Sequence, residues 1–107
     1  MIDRLVELFP RAAKKSCERL GLDPRAIIRR SENNIDRLGA GRYKALTLLG
    51  TDTPRNYYGV DAEFSVSDGA TNDEILKDMA EAIHDAVKKK LDKLAAVRRL
   101  NRNSTTL

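Results

Sequence analysis

The chain has 107 residues, enough for one domain with a modest core, and its 41% hydrophobic and 34% charged residues exclude an intrinsically disordered protein. Its five aromatic residues include no tryptophan, so the core is expected to be aliphatic. The net charge is +4, with the basic excess at the two ends of the chain. This asymmetry is compatible with a polyanionic partner, although a solvated basic surface produces the same pattern.

The beginning of the chain predicts three helices. Residues 2–9 carry apolar side chains at helical spacing. Pro10 has no N–H to donate, so we expect it to begin a second helix, which Gly21 ends. Asp23 and Pro24 resemble the cap and first position of a third helix, which reaches Gly39 and has an apolar face that includes Ile27 and Ile35.

The middle of the chain changes to the two-residue period of β-strands. Residues 44–50 form a short apolar run, and residues 58–66 alternate between apolar and polar side chains. Turn-forming residues separate the two runs. The pattern predicts a two-stranded antiparallel hairpin with its tip near residues 53–56.

A long helix is predicted to follow. Thr71 and Glu74 match a capping box, and apolar spacing then continues to about residue 101. Such a helix is roughly 45 Å long, more than the expected width of the domain. We therefore expect a homodimer to cover Leu91, Leu94 and Val97. Residues 101–107 are predicted to be a flexible tail.

The predicted fold is α+β, with three N-terminal helices, a two-stranded antiparallel β-hairpin and a long C-terminal helix in one domain of residues 1–100. This order resembles that of a winged helix-turn-helix protein. The small Cys17, four residues before Gly21, and the capped segment after it also resemble that motif. Ser31 departs from it, because an apolar residue is expected at that position.

The resemblance implies a DNA-binding surface. Arg25, Arg29 and Arg30 would lie on the recognition helix and contact bases or phosphates. Lys14 and Lys15 would contact the DNA backbone from the preceding helix, and Arg55 would do so from the wing. The alternative interpretation is a helical hairpin whose basic face contacts only water.

Catalytic chemistry has little support in the sequence. His84 is the only histidine and has no second histidine or cysteine at metal-ligand spacing. Cys17 lies on an apolar stripe, and we expect a buried, inert thiol rather than a nucleophile. We therefore expect no enzyme activity, no metal and no cofactor.

The expected location is the cytoplasm. A single cysteine suits a reducing compartment. The first ten residues mix acids and bases, unlike a signal peptide, and no segment approaches the roughly 20 apolar residues of a membrane span.

Two functions are compatible with these features. The first is a dimeric, non-catalytic, basic DNA-binding protein of winged helix-turn-helix type. The alternative is a small protein-binding module, such as a phage-type inhibitor or assembly factor. It would act through the hairpin, with Tyr57 and Tyr58, and through the long helix.

Overall fold

Two helices and four antiparallel strands form the described part of the chain. The computed structural model describes residues 1–50 and 56–105, with side chains as far as residue 98. The elements follow one another along the chain as α1 (Ile2–Leu20), β1 (Ile27–Arg29), β2 (Ile35–Gly39), β3 (Arg42–Gly50), β4 (Tyr57–Ser65) and α2 (Asn72–Thr105). The expectation of three N-terminal helices and a two-stranded hairpin is therefore wrong.

The first correction concerns Pro10, which lies inside α1 and does not begin a new helix. Proline removes the N–H that would bond to the carbonyl of Val6, four residues earlier. The Nη2 atom of Arg29 donates to that Val6 oxygen instead, at 2.9 Å. Because the lost bond is replaced from β1, α1 continues to Leu20. The predicted stop at Gly21 is confirmed, with φ at 68°.

The second correction concerns the predicted third helix, where the structure has β1 and β2. Asp23 begins a tight turn: its side chain accepts a hydrogen bond from the Arg25 N–H (2.8 Å), and its carbonyl accepts one from the Ala26 N–H (2.9 Å). An aspartate before proline suits such a turn as well as a helix start. The isoleucines that follow are β-branched and pack well on a sheet. The described residues therefore contain no helix-turn-helix, and the predicted winged helix-turn-helix fold is wrong.

β3 is the central strand of the sheet. β4 pairs with its whole length, from Arg42 opposite Ser65 to Gly50 opposite Tyr57. β1 and β2 pair with successive parts of β3, so they share its other edge. The predicted antiparallel pairing of the two middle runs is confirmed, but it belongs to a four-stranded sheet.

Both helices cover one face of this sheet. Alternate residues of β3 and β4 point into the core, and the rings of Tyr43 and Phe64 stack there with centroids 6.1 Å apart. Ser16, fully buried on α1, donates to the Ala80 oxygen of α2 at 2.7 Å and so joins the helices. Neither described helix lies on the opposite face of the sheet, where Ile28 is exposed.

α2 begins with the predicted capping box. The Glu74 N–H donates to the Thr71 hydroxyl oxygen (3.2 Å), and a Glu74 carboxylate oxygen accepts from the Thr71 N–H (3.2 Å). With 34 residues, α2 is about 51 Å long. The described chain measures 58 × 24 × 23 Å. α2 includes residues 101–105, which the sequence assigned to a tail. That segment 101–107 is flexible stays a prediction.

Val87 is the last buried residue of α2 among those with described side chains. We call residues 88–98 the α2 arm. The arm continues the line of α2 beyond the buried core.

Candidate functional site

The three arginines predicted to read DNA do not share a surface. Arg29 points toward α1 and bonds to the Val6 carbonyl. Arg30 lies across the opposite face of the sheet, where its Nη2 is 2.7 Å from the Asp61 carboxylate. Arg25 lies in the turn before β1, with its side chain 91% exposed. Alternation along a strand explains the divergence of Arg29 and Arg30, because neighbouring side chains point to opposite faces.

Arg30 also fills the space above Gly59. A Cβ atom placed on Gly59 would approach the Arg30 Nη2 to 2.9 Å, and the same nitrogen donates to the Thr47 oxygen at 3.3 Å. Asp61 is beside this contact. Arg30 therefore bridges β3 and β4, and the Asp61 carboxylate largely compensates its charge.

The exposed Arg25 also has an acidic neighbour. Its Nε is 3.5 Å from the Asp23 carboxylate. The hydrogen bond from the Arg25 N–H, with help from the Arg25 side chain, lowers the pKa of Asp23. This carboxylate therefore stays ionised and partly offsets the Arg25 charge.

The remaining predicted DNA contacts are scattered. Lys14 and Lys15 are exposed on α1. Arg55 lies outside the described residues. The structure thus brings no cluster of the predicted DNA-contacting side chains together in the part of the chain that it describes.

Of the predicted protein-contacting residues, Tyr58 contacts the base of the α2 arm, and Leu91, Leu94 and Val97 lie on the arm. Tyr57 is 54% exposed at the start of β4. Tyr58 is half-buried, and the Nζ atom of Lys90 lies 5.4 Å from the centre of its ring. On the arm, Leu91 and Leu94 are half-buried and Val97 is 52% exposed.

A groove that the sequence did not reveal lies between β4 and α2. Its volume is about 780 Å³. Five consecutive residues of β4, 59–63, form one wall. The other wall comes from α2, where Ala82 and Ala86 are followed by Lys89 and Lys93. Small side chains on both walls keep the groove open. In the sequence, the small residues of α2 close to its lysines were the one feature that could have indicated the groove.

The lysines and carboxylates that line the groove are equal in number, and arginines outside the lining pair with two of the carboxylates. Four lysines (Lys88, Lys89, Lys90 and Lys93) and four carboxylates (Asp61, Glu63, Asp85 and Asp92) line it.

Two of those carboxylates are paired with arginines outside the lining. Arg30 is 2.7 Å from Asp61, and Arg42 is 3.8 Å from Glu63. These pairs leave a surplus of two positive charges on the groove walls. All four lysines of the lining belong to α2.

The residues considered for catalysis remain isolated. Cys17 is buried, and this burial raises the pKa of its thiol, as expected for an inert cysteine. The His84 ring nitrogen Nδ1 lies 2.9 Å from the neighbouring Asp85 carboxylate. Within the described residues, no three histidine, cysteine or carboxylate side chains are grouped to hold a metal. The absence of enzyme activity stays a prediction.

Comparison with known proteins does not assign the chain to a family. Within the described ranges, neither helix is apolar enough over a sufficient length to cross a membrane. No family model, curated protein or solved structure matches the chain.

Proposed function

We propose that this chain is a non-catalytic protein-binding module that forms a homodimer through the α2 arm. One observation carries the proposal: the apolar side chains of the arm continue beyond the core of the chain. Leu91 still packs against the edge of the core, while Leu94 is only half-buried and Val97 is exposed.

A second copy is a suitable partner for this apolar stripe. Most helical stability in proteins comes from packing of an apolar face. Two antiparallel arms would bring Leu94 against its copy and Leu91 against Val97 of the other chain. This isologous arrangement satisfies both copies with the same contacts.

Cys17 is the single cysteine of the chain, and it is buried and unpaired. A lone thiol suits a reducing compartment, so the proposal includes a cytoplasmic location. An assembly factor or a small inhibitor would have this organisation: a helix for pairing and a sheet that remains available to others.

Light scattering coupled to gel filtration tests the homodimer. We expect the wild-type protein to be dimeric at micromolar concentrations and Leu94→Asp to be a folded monomer, because a buried charge would be unpaired in the interface. Ala96→Asp is the matched control, since Ala96 is exposed and lies roughly 200° around the helix from Leu94. A monomeric wild type would refute pairing, and equal effects of both variants would refute the assigned face.

Duplex DNA binding is a second candidate function, favoured by the exposed cations of the α2 arm. Lys88, Lys89, Lys93 and Arg98 are all exposed. Phosphate contacts by such residues supply sequence-independent affinity. The candidate no longer depends on a recognition helix or on Arg29 and Arg30.

Fluorescence anisotropy with a random 20-base-pair duplex tests this candidate. We expect binding at low salt that weakens steeply as salt rises, and weaker binding by Lys89→Glu. Lys77→Glu is the control, because Lys77 is exposed on the acidic half of the same helix. No anisotropy change at tens of micromolar protein would exclude DNA binding through the arm.

A further inference from the structure

β4 has an unpaired edge along the groove. Among the described strands, β3 pairs with β4 on one side and none pairs with β4 on the other. An unpaired edge presents main-chain donors and acceptors to which another strand can bond. The edge of β4 that faces the groove is therefore a template for strand addition.

Hydrogen bonds on the far edge of β3 determine which groups β4 leaves unpaired. The Arg30 N–H donates to the Leu46 oxygen at 3.2 Å, and the Gly50 N–H donates to the Ala26 oxygen at 2.7 Å. Even-numbered residues of β3 thus bond toward β1 and β2. Odd-numbered residues of β3 must bond toward β4, because alternate residues of an antiparallel strand turn to opposite edges.

The β3–β4 register then gives the unpaired positions. Odd-numbered residues of β3 lie opposite even-numbered residues of β4, such as Thr47 opposite Val60. Gly59, Asp61 and Glu63 are the alternate residues, and their N–H and C=O groups point to the unpaired edge. All three line the groove.

The lining of the groove agrees with an accessible backbone edge. Residues 59–63 all line it, although side chains of successive residues point to opposite faces of a strand. Only the edge of the strand exposes five consecutive residues to the same space.

The charge of the opposite wall selects the partner. Lys89 and Lys93 are exposed, and neither makes an ion pair within the described residues. A strand added to β4 would direct alternate side chains toward α2. Acidic side chains at those positions would meet the two lysines, while Asp61 and Glu63 would disfavour acids on the other face.

We infer that the groove binds an extended segment of a partner protein, added as a strand to β4, with acidic side chains at alternate positions facing Lys89 and Lys93. This inference does not depend on pairing through the α2 arm. The main-chain bonds would supply most of the affinity and the lysines would supply the selectivity.

The test uses a heptapeptide of alternating threonine and glutamate, capped at both ends, and two-dimensional amide NMR of the labelled protein. We expect the largest shifts at the amides of Gly59, Asp61 and Glu63. A peptide with lysine in place of glutamate should bind at least tenfold more weakly. A peptide N-methylated at the residues whose N–H groups would face β4 cannot donate to that strand, and it should also bind at least tenfold more weakly.

Variants of the protein separate the two contributions. Lys89→Glu combined with Lys93→Glu should weaken the acidic peptide at least tenfold, while Lys14→Glu combined with Lys15→Glu makes the same charge change on α1 and should leave binding unaltered. The titration is repeated with the monomeric Leu94→Asp variant, and equal peptide affinity would show that binding does not depend on dimerisation. Undiminished binding of the N-methylated peptide, or shifts confined to lysine side chains, would overturn strand addition. Loss of peptide binding at high protein concentration would show that β4 of a second copy occupies this edge, and it would overturn the assignment of an acidic partner segment.

Discussion

At the scale of single residues, Arg29 compensates for the hydrogen bond that Pro10 removes from α1. The proline removes the helical donor for the Val6 carbonyl, and the guanidinium group replaces it at 2.9 Å. The Val6 carbonyl is partly buried, so leaving it without a donor costs free energy, and a hydrogen bond from a charged group recovers more than a neutral one does. The role of Arg29 is therefore structural, and it explains why a basic side chain points toward a helix.

We expect Arg29→Ala to lower the free energy of unfolding by about 1.5–3 kcal/mol, because the Val6 carbonyl then lacks a donor. Arg25→Ala should change stability by less than about 0.5 kcal/mol, as for most exposed substitutions. The measurement is urea unfolding followed by circular dichroism.

A double-mutant cycle with Pro10→Ala tests the cause. Alanine restores the N–H that bonds to Val6, so Arg29→Ala should cost less in that background. If the two substitutions were additive, Arg29 would stabilise the protein through other contacts.

At the scale of elements, the turn between β2 and β3 depends on Gly41. Its φ is 69°, and a Cβ atom there would lie 2.9 Å from the Val66 oxygen. The Val66 N–H also donates to the Gly41 oxygen, at 2.7 Å. The turn and the end of β4 therefore meet where only glycine fits.

We expect Gly41→Ala to destabilise the protein more than Gly21→Ala does. Both glycines have left-handed backbones, so each substitution should cost about 1–2 kcal/mol from conformation alone. Open space surrounds Gly21, and only Gly41→Ala adds a clash with the backbone. Thermal unfolding of the two variants measures the difference, and equal losses would contradict the close contact.

The elements also differ in how far the sequence predicts them. The strand alternation of 58–66 and the capping box at Thr71 are local patterns, and the structure has both. The error over residues 24–38 is different, because the spacing of Ile27 and Ile35 suits a helix face, while pairing with β3 decides the outcome. Pro10 misleads for a related reason: its compensating donor lies 19 residues further along the chain. Long-range contacts of this kind leave no periodic signal.

The sequence did not predict the groove for the same reason. It needs β4 to be an edge strand, and that fact depends on which edge β1 and β2 occupy. The sequence supplies Lys89 and Lys93 as part of a basic segment, but it does not show that they face a strand edge. The opposite directions of Arg29 and Arg30 likewise follow from strand alternation and not from the charge pattern.

At the scale of the whole molecule, the α2 arm makes the described chain more than twice as long as it is wide. The arm carries five cations and one carboxylate over residues 88–98. Two arms packed together would place like charges near one another, and lysine stems would cover the apolar stripe while their charged ends repel.

We therefore expect homodimerisation to strengthen as salt rises from about 0.05 to 0.5 M, because salt screens this repulsion. Binding of the acidic peptide should weaken over the same range. Sedimentation equilibrium and peptide titration measure the two. A dimer that dissociates with added salt would indicate that opposite charges, and not the apolar stripe, hold the copies together.

The start of α1 is held beside the start of α2, since Arg4 bonds to the Asn72 side chain at 2.5 Å and to the Ala70 oxygen at 2.9 Å. The arm begins about 24 Å further along α2. A fusion partner or surface tether attached at residue 1 would thus sit at the opposite end of the long axis. Immobilised in that way, the protein would hold its arm away from the support and leave it accessible to whatever is flowed across.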